Sequence, residues 1–427
     1  MTELVIRGSQ FDIAVEDQVI SAIGPGLPAG RREIDARHLE ILPGIIDVHV
    51  HFNEPGRTEW EGAATGSRAF AAAGGTLFFD MPLNSSPCTV NARAFDEKRA
   101  ALEKSSVTDF ALWGGIIPGN REDLAELADR GVIGFKAFMS DSGLAEFPRS
   151  DDLTLYEGMC EAARLDLPVS VHAESEEITR ELAKRLQDAG RCGVRDYLDS
   201  RPVLAEVEAI ERVTLLAREA GARLHIVHIS SGRGVAAALE ARARGTDVSL
   251  ETCPHYLTFT AEDMERLGAV AKCAPPLRDE AEQQSLWNAV RDGGIDIIGS
   301  DHSPAPPDMK TGDNFFRIWG GIAGIQATLP SLLERLPLQR ISELLAGTPA
   351  RRFRIPRKGR IAVGCDADFA LIDRTSRWTM DRETLQQRHP ISPYLGRKYQ
   401  GRVVQTILRG QSVPSSTPGK MVRPAKG

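Results

Sequence analysis

Eight short, nearly continuous apolar runs constrain this chain more than any other feature. They lie at residues 44–50, 76–81, 109–117, 132–139, 168–172, 223–229, 247–252 and 295–300. Segments rich in Ala, Leu, Glu and Arg, such as 121–130 and 204–220, separate them with helical periodicity. A strand with one wet face alternates polar and apolar residues, so unbroken runs indicate strands covered on both sides. Such strands alternating with helices imply a parallel sheet, and eight is the count that closes a barrel. A doubly wound open sheet is the alternative, but it calls for a glycine-rich phosphate loop after the first strand. Gly44 precedes that strand and Pro55-Gly56 lacks the fingerprint.

The two ends follow another rhythm. Residues 3–23 alternate apolar and polar positions between glycines, and similar patterns return at 359–364, 368–372 and 403–408. Neither piece closes a sheet core alone. Residues 1–43 and 355–427 are therefore expected to form one small β-sandwich domain from both termini, with 44–354 as the (β/α)8 TIM barrel. The last dozen residues, rich in Pro, Ser, Lys and Gly, are expected to be a loose tail.

The 427 residues are 42% hydrophobic and 26% charged, enough for a large core. A net charge of −7 with interspersed signs gives nucleic-acid binding no electrostatic support. No apolar run has the length of a membrane span, and the start shows no signal-peptide pattern. Six cysteines without a CxxC pair suit a reducing compartment, so the cytoplasm is the expected location.

Chemistry-bearing residues cluster at the ends of the apolar runs. Strand side chains alternate faces, so Asp47, His49 and His51 in Asp47-Val48-His49-Val50-His51 are expected to share the barrel interior. Two imidazoles so placed can grip one metal ion; alternating histidines also occur on strands without that role. Lys136 stands inside the fourth run, His172 ends the fifth, His228 ends the sixth and Asp301 follows the eighth. Five of eight strands thus deliver a ligand-type group to one face. Burial pushes a lysine toward its neutral amine, which can add carbon dioxide and offer two anionic oxygens to two metals. A lysine snorkelling outward or pairing with Asp47 is the other reading, and the company of four histidines and an aspartate favours the carbamate. His225, an odd number of positions from His228, is expected to face the helices. His255 and His302 sit in loops at the same face, in supporting or structural roles.

With these residues laid out, the chain resembles the amidohydrolase superfamily and, within it, the cyclic amidases of the allantoinase type. The shared motifs are Asp47 to His51, the lysine strand, Val171-His172-Ala173-Glu174, Cys253-Pro254-His255-Tyr256, Ser300-Asp301-His302-Ser303-Pro304, and the Gly359-Arg360-Ile361 to Ala367-Asp368 stretch. More specific are residues 51–57, 60–62, 80–84, 272–278, 319–324 and 391–397. The resemblance implies two divalent metals. His49, His51, Asp301 and an N6-carboxylated Lys136 would surround one, and Lys136, His172 and His228 the other. Zinc suits such ligands, and cobalt, manganese, iron or nickel fit a similar site. The implied reaction is hydrolysis of the hydantoin ring of (S)-allantoin to allantoate in purine breakdown, by hydroxide activated between the metals, with Asp301 moving the proton. Backbone near Ala274 and Gly320 would read the ring's amide edges, and a homotetramer is implied.

Departures from sister activities sharpen this reading. Dihydroorotases carry an arginine for the substrate carboxylate where this chain has Asn53, and usually an asparagine where it has Ala274. Dihydropyrimidinases carry a tyrosine where it has Asp141. Asn53 is therefore expected to meet a neutral ureido group, and Asp141 to meet a ureido tail. A hydantoinase or dihydropyrimidinase is the alternative enzyme. A non-catalytic scaffold of this fold, which would have lost ligands, is the alternative of another class.

Overall fold

The computed structural model describes residues 2–415 and 418–425. Among them, eight parallel strands close a barrel: Ile45–Val50, Gly75–Asp80, Asp109–Leu112 continued by Gly114–Gly115, Phe135–Phe138, Val169–His172, Leu224–Ile226, Val248–Thr252 and Ile297–Ile298. Each pairs in parallel with the next. The third strand breaks at Trp113, so its first half pairs back to the second strand and its second half forward to the fourth. The ring closes where His51 N–H donates to His302 O at 2.9 Å.

Alternation sorts the side chains. Phe135 and Ala137 face the outer helices, whereas Ile46, Leu77, Phe79, Trp113 and Phe353 fill the barrel floor. Trp113 Nε1 donates to Val48 O at 3.0 Å, so even its polar atom is satisfied there. The outer helices read as their sequence suggests. Val203–Ala220 starts after Pro202, stops at the left-handed Gly221 (φ 65°), and buries Ala209, Ile210, Val213 and Ala217 at three- and four-residue spacing. Truncating Ile210 there to alanine would cost about 2–5 kcal/mol.

Both termini build the sandwich. One sheet runs in the order Val19–Gly24, Asp12–Glu16, Leu4–Arg7, Arg32–Asp35; the other runs Gln411–Ser412, Lys398–Leu408, Phe369–Thr379, Glu40–Pro43. Leu4, Ile6 and Ile13 of the first meet Phe369, Leu371 and Ile407 of the second. A buried ionic cluster ties this unit to the barrel floor. Lys358 Nζ lies 2.5 Å from Asp368, 3.0 Å from Asp109 and 3.2 Å from Asp366, and Arg409 pairs with Asp109.

The loose tail is corrected over residues 418–425. Val422 N–H donates to Phe110 O at 2.7 Å, Ala425 N–H to Arg354 O at 2.9 Å, and Met421 bridges Phe110 in parallel. Polar composition concealed an edge contact made through the backbone, which any side chain permits. Residues 416, 417, 426 and 427 of that expected tail lie outside the described residues.

Candidate active site

The first strand does not alternate cleanly. Its pairing shifts between Asp47 and Val50, a bulge that leaves Val48 and His49 turned inward in succession. Asp47, expected inside with the histidines, stands instead on the outer side near Phe70, Ala73 and Leu345. Its carboxylate accepts from the backbone N–H groups of His49 and Ser300, each at 3.1 Å. Burial raises its pKa to about 7. Asp47 therefore shapes the bulge that aims His49.

Six ligand-type groups converge above the floor. His49 Nε2 and His51 Nε2 lie 3.3 Å and 3.4 Å from Asp301 Oδ1. Facing them, His172 Nδ1 and His228 Nε2 are 3.0 Å apart, and the His49 and His228 rings are 5.4 Å apart. Lys136 is fully buried, its Nζ 4.9 Å from the Phe138 ring and without a hydrogen-bond partner among the described residues. Neither snorkelling nor pairing with Asp47 occurs. Burial lowers the Lys136 pKa to about 7, which leaves a substantial neutral fraction. Burial opposes the Asp301 charge, yet His49, His51 and His228 hold it well below the usual carboxylate range. Burial also lowers His49, His172 and His228, so all three are neutral bases with lone pairs available.

Two glutamates aim these imidazoles. Glu251 accepts from His49 Nδ1 at 2.9 Å, from His225 Nε2 at 2.9 Å and from His228 N–H at 3.3 Å. Glu174 accepts from His172 Nε2 at 2.9 Å and pairs with Arg201. Burial alone would raise both carboxyl pKa values; His49 and His225 in one case, Arg201 and His172 in the other, bring each down to about 2. A fixed carboxylate on one ring nitrogen sets the tautomer and points the other nitrogen at the shared space.

Glu251 was not among the sequence-derived candidates, although its signal matched that of Lys136, a charge inside an apolar run. Its partner His225 corrects a second expectation. In register with Ser249, it turns into the barrel and hydrogen-bonds Ser249 Oγ at 2.8 Å. Parity failed because the sixth strand ends at Ile226, and His228 takes a left-handed φ of 39°.

His302 is structural. It bridges Val50 and Ile322, and its Nδ1 accepts the Gly324 N–H at 3.2 Å. His255 is buried beside Cys253, and both share Asp301 as a neighbour within ligand spacing.

Above these groups opens a cavity of about 360 Å³. Its wall includes Asn84, Arg201, Ala274, Ser303, Trp319 and Gly320. Ala274 and Gly320 line this cavity, and Asp141 lies at the rim. Asn53 does not reach the wall. It is buried with φ 63°, and its Nδ2 faces Pro304 O at 3.4 Å. Counting two residues on from His51 could not reveal that the chain turns left-handed there.

Comparison with known proteins gives this geometry a family. The Amidohydrolase family is matched over residues 41–413, which span all the convergent groups. The chain belongs to the amidohydrolase family. An allantoinase from Solibacter usitatus is 64% identical, covering 97% of this chain and 94% of its own. One from Rubrobacter xylanophilus is 55% identical, covering 99% and 98%. Among solved structures, an L-hydantoinase (dihydropyrimidinase) from Arthrobacter aurescens superposes with a TM-score of 0.95 at 32% identity, covering 99% of this chain and 100% of its own. The barrel with its terminal β-sandwich is therefore the architecture of these family members.

Proposed function

We propose that this enzyme hydrolyses the hydantoin ring of allantoin to allantoate. The observation that carries the reading is the 64% identity to an allantoinase over 97% of the chain, with a complete set of convergent ligand-type groups beneath one cavity. The 0.95 TM-score to a hydantoinase supports a related five- or six-membered cyclic amide as second reading, at half that identity.

The residues fit a pair of divalent ions. Lys136 Nζ is buried without a hydrogen-bond partner among the described residues; His49 and His51 face Asp301 across 3.3–3.4 Å, and His172 faces His228 across 3.0 Å. His49, His51 and Asp301 would hold one ion, His172 and His228 the other. Lys136, after its neutral amine adds carbon dioxide and releases a proton to solvent, would offer an oxygen to each. Such ions lower the pKa of water and polarise an amide carbonyl.

The remaining work falls to the chain. Asp301, ionised among its imidazoles, takes the proton from the attacking water and returns it to the ring nitrogen as the C–N bond breaks. The backbone of Ala274 and Gly320, on the cavity wall, holds the ring's amide edges. Neutral imidazoles, a carboxylate and a carbamate suit zinc among the candidate metals. Six free cysteines suit the cytoplasm, and the motif resemblance supports a homotetramer, checked by light scattering.

The test is kcat/KM for allantoin, dihydroorotate, hydantoin and dihydrouracil on metal-loaded enzyme. Allantoin is expected to lead; a higher value for hydantoin or dihydrouracil overturns the choice of substrate.

A further inference from the structure

The loop formed by residues 315–321 supplies one wall of the cavity, and its backbone is gathered by two lysines. Lys272 Nζ donates to the carbonyls of Phe315 (2.6 Å), Phe316 (3.2 Å) and Ile318 (2.5 Å). Lys310 Nζ donates to those of Trp319 (3.0 Å) and Gly321 (2.6 Å). Neither ammonium has a carboxylate partner among the described residues. Lys272 is buried and Lys310 half-buried, and an ammonium with three donors and no counter-ion is costly to withdraw from water. Burial lowers the pKa of Lys272 to about 7 and of Lys310 to about 8. Apolar residues would fill the same space without that cost.

What the lysines accomplish is directional. Five carbonyls of one short loop point at two nitrogens, so they are withdrawn from the cavity. Gly321 N–H is spent on Lys272 O at 2.7 Å and Trp319 N–H on Met309 O at 3.1 Å. Gly320 lies between them on the cavity wall. Its N–H engages no acceptor among the described residues, and the space beside its Cα is open to 4 Å. Gly320 thus brings an unspent backbone donor to the cavity wall, in a loop that has five of its seven carbonyls drawn to the two lysines.

We propose that Lys272 and Lys310 are positioning residues, a paired ammonium clamp that orients the 315–321 backbone for ring recognition and thereby sets substrate affinity. The inference rests on the cyclic-amide reading of the cavity. It assigns the lysines no contact with reacting atoms, so they act on binding rather than on the chemical step.

The experiment compares the metal-loaded enzyme with Lys272→Met, Lys310→Met and Lys272→Arg. Methionine keeps length and apolar stem but has no donors, whereas arginine restores charge and donors. Both Met variants are expected to raise KM for allantoin about tenfold or more, with kcat within about threefold and metal content unchanged. Lys272→Arg should recover part of that loss. Limited trypsin digestion reads the loop without activity, because Arg317 is exposed within it. Cleavage after Arg317, identified by mass, should be faster in the Met variants. Unchanged KM and unchanged cleavage overturn the clamp, as does a fall in kcat that matches a loss of metal. An unmodified enzyme that hydrolyses no cyclic amide overturns the functional reading instead, and the digestion still decides the clamp.

Discussion

Replacing Glu251 by glutamine keeps the side chain's size and removes the charge on which three donors converge. In the native arrangement His49 Nδ1 and His225 Nε2 sit 2.9 Å from its two oxygens, with His228 N–H at 3.3 Å. A carboxamide retains one acceptor and turns an NH2 toward one of these donors. A hydrogen bond to a charged group contributes about 1.5–3 kcal/mol, and a buried donor left unpaired costs a further 1–3 kcal/mol. Glu251→Gln should therefore destabilise the site by roughly 3–5 kcal/mol, part of it relieved by rotation of His49. Once His49 rotates, its Nε2 no longer meets Asp301. A lesion of this kind behind a metal-binding histidine lowers metal affinity or activity about 10–100-fold. The assay is metal content by elemental analysis across a chelator series, with kcat/KM for allantoin on the same samples. If both stay within about threefold of the unmodified enzyme, Glu251 does not aim His49 and the reasoning fails.

Lys136→Ala should remove most bound metal and activity while the fold persists, since alanine suits the apolar fourth strand; native mass spectrometry of the unmodified enzyme should show one added carbon dioxide, and its absence with full activity in the variant refutes the carbamate. Asp301→Asn keeps an oxygen donor but loses the base, so turnover should fall about 10²–10⁴-fold with much of the metal retained; a drop below about tenfold points to another proton carrier. Asn53→Gly tolerates the left-handed backbone and should leave the allantoin-to-dihydroorotate selectivity unchanged, whereas Asn53→Ala should cost about 1–2 kcal/mol of stability in urea melts; a selectivity change in the glycine variant would restore Asn53 to the substrate. Glu174 has a folded pKa of about 2 against an ordinary 4.5, so the stability it confers is present above about pH 4.5 and is lost as pH falls toward 2. Unfolding free energies between pH 5 and pH 3 should fall less steeply in Glu174→Gln, and parallel slopes would exclude this contribution.

Much of this was legible in the linear chain because barrel strands are read by burial. Eight apolar runs became eight strands, and a lysine, four histidines and an aspartate at their ends were brought within one small volume. What the sequence hid was geometry that breaks periodicity. The bulge at Val48–His49 moved Asp47 to the outer side, and the end of the sixth strand at Ile226 put His225 inside. The left-handed turn at Asn53 withdrew it from the cavity. For Asp47 and His225 a period-two argument ran across a break in the regular ladder, and for Asn53 motif spacing carried no sign of the turn. The clamp at Lys272 and Lys310 was hidden for another reason: its acceptors are carbonyls, which carry no residue identity.

The ionic cluster beneath the barrel has a consequence for how the molecule comes apart. Asp109 opens the third barrel strand, Lys358 and Asp368 belong to the sandwich side, and Arg409 extends from the last long strand. Pulling the two units apart would break both ion pairs of Asp109, to Lys358 and to Arg409, and expose the apolar surface packed around them to water. No partly opened form with one unit folded and the other released is therefore accessible at low free energy. Heating should melt barrel and sandwich in one calorimetric transition, and a barrel expressed without its terminal strands should fail to fold rather than lose an accessory.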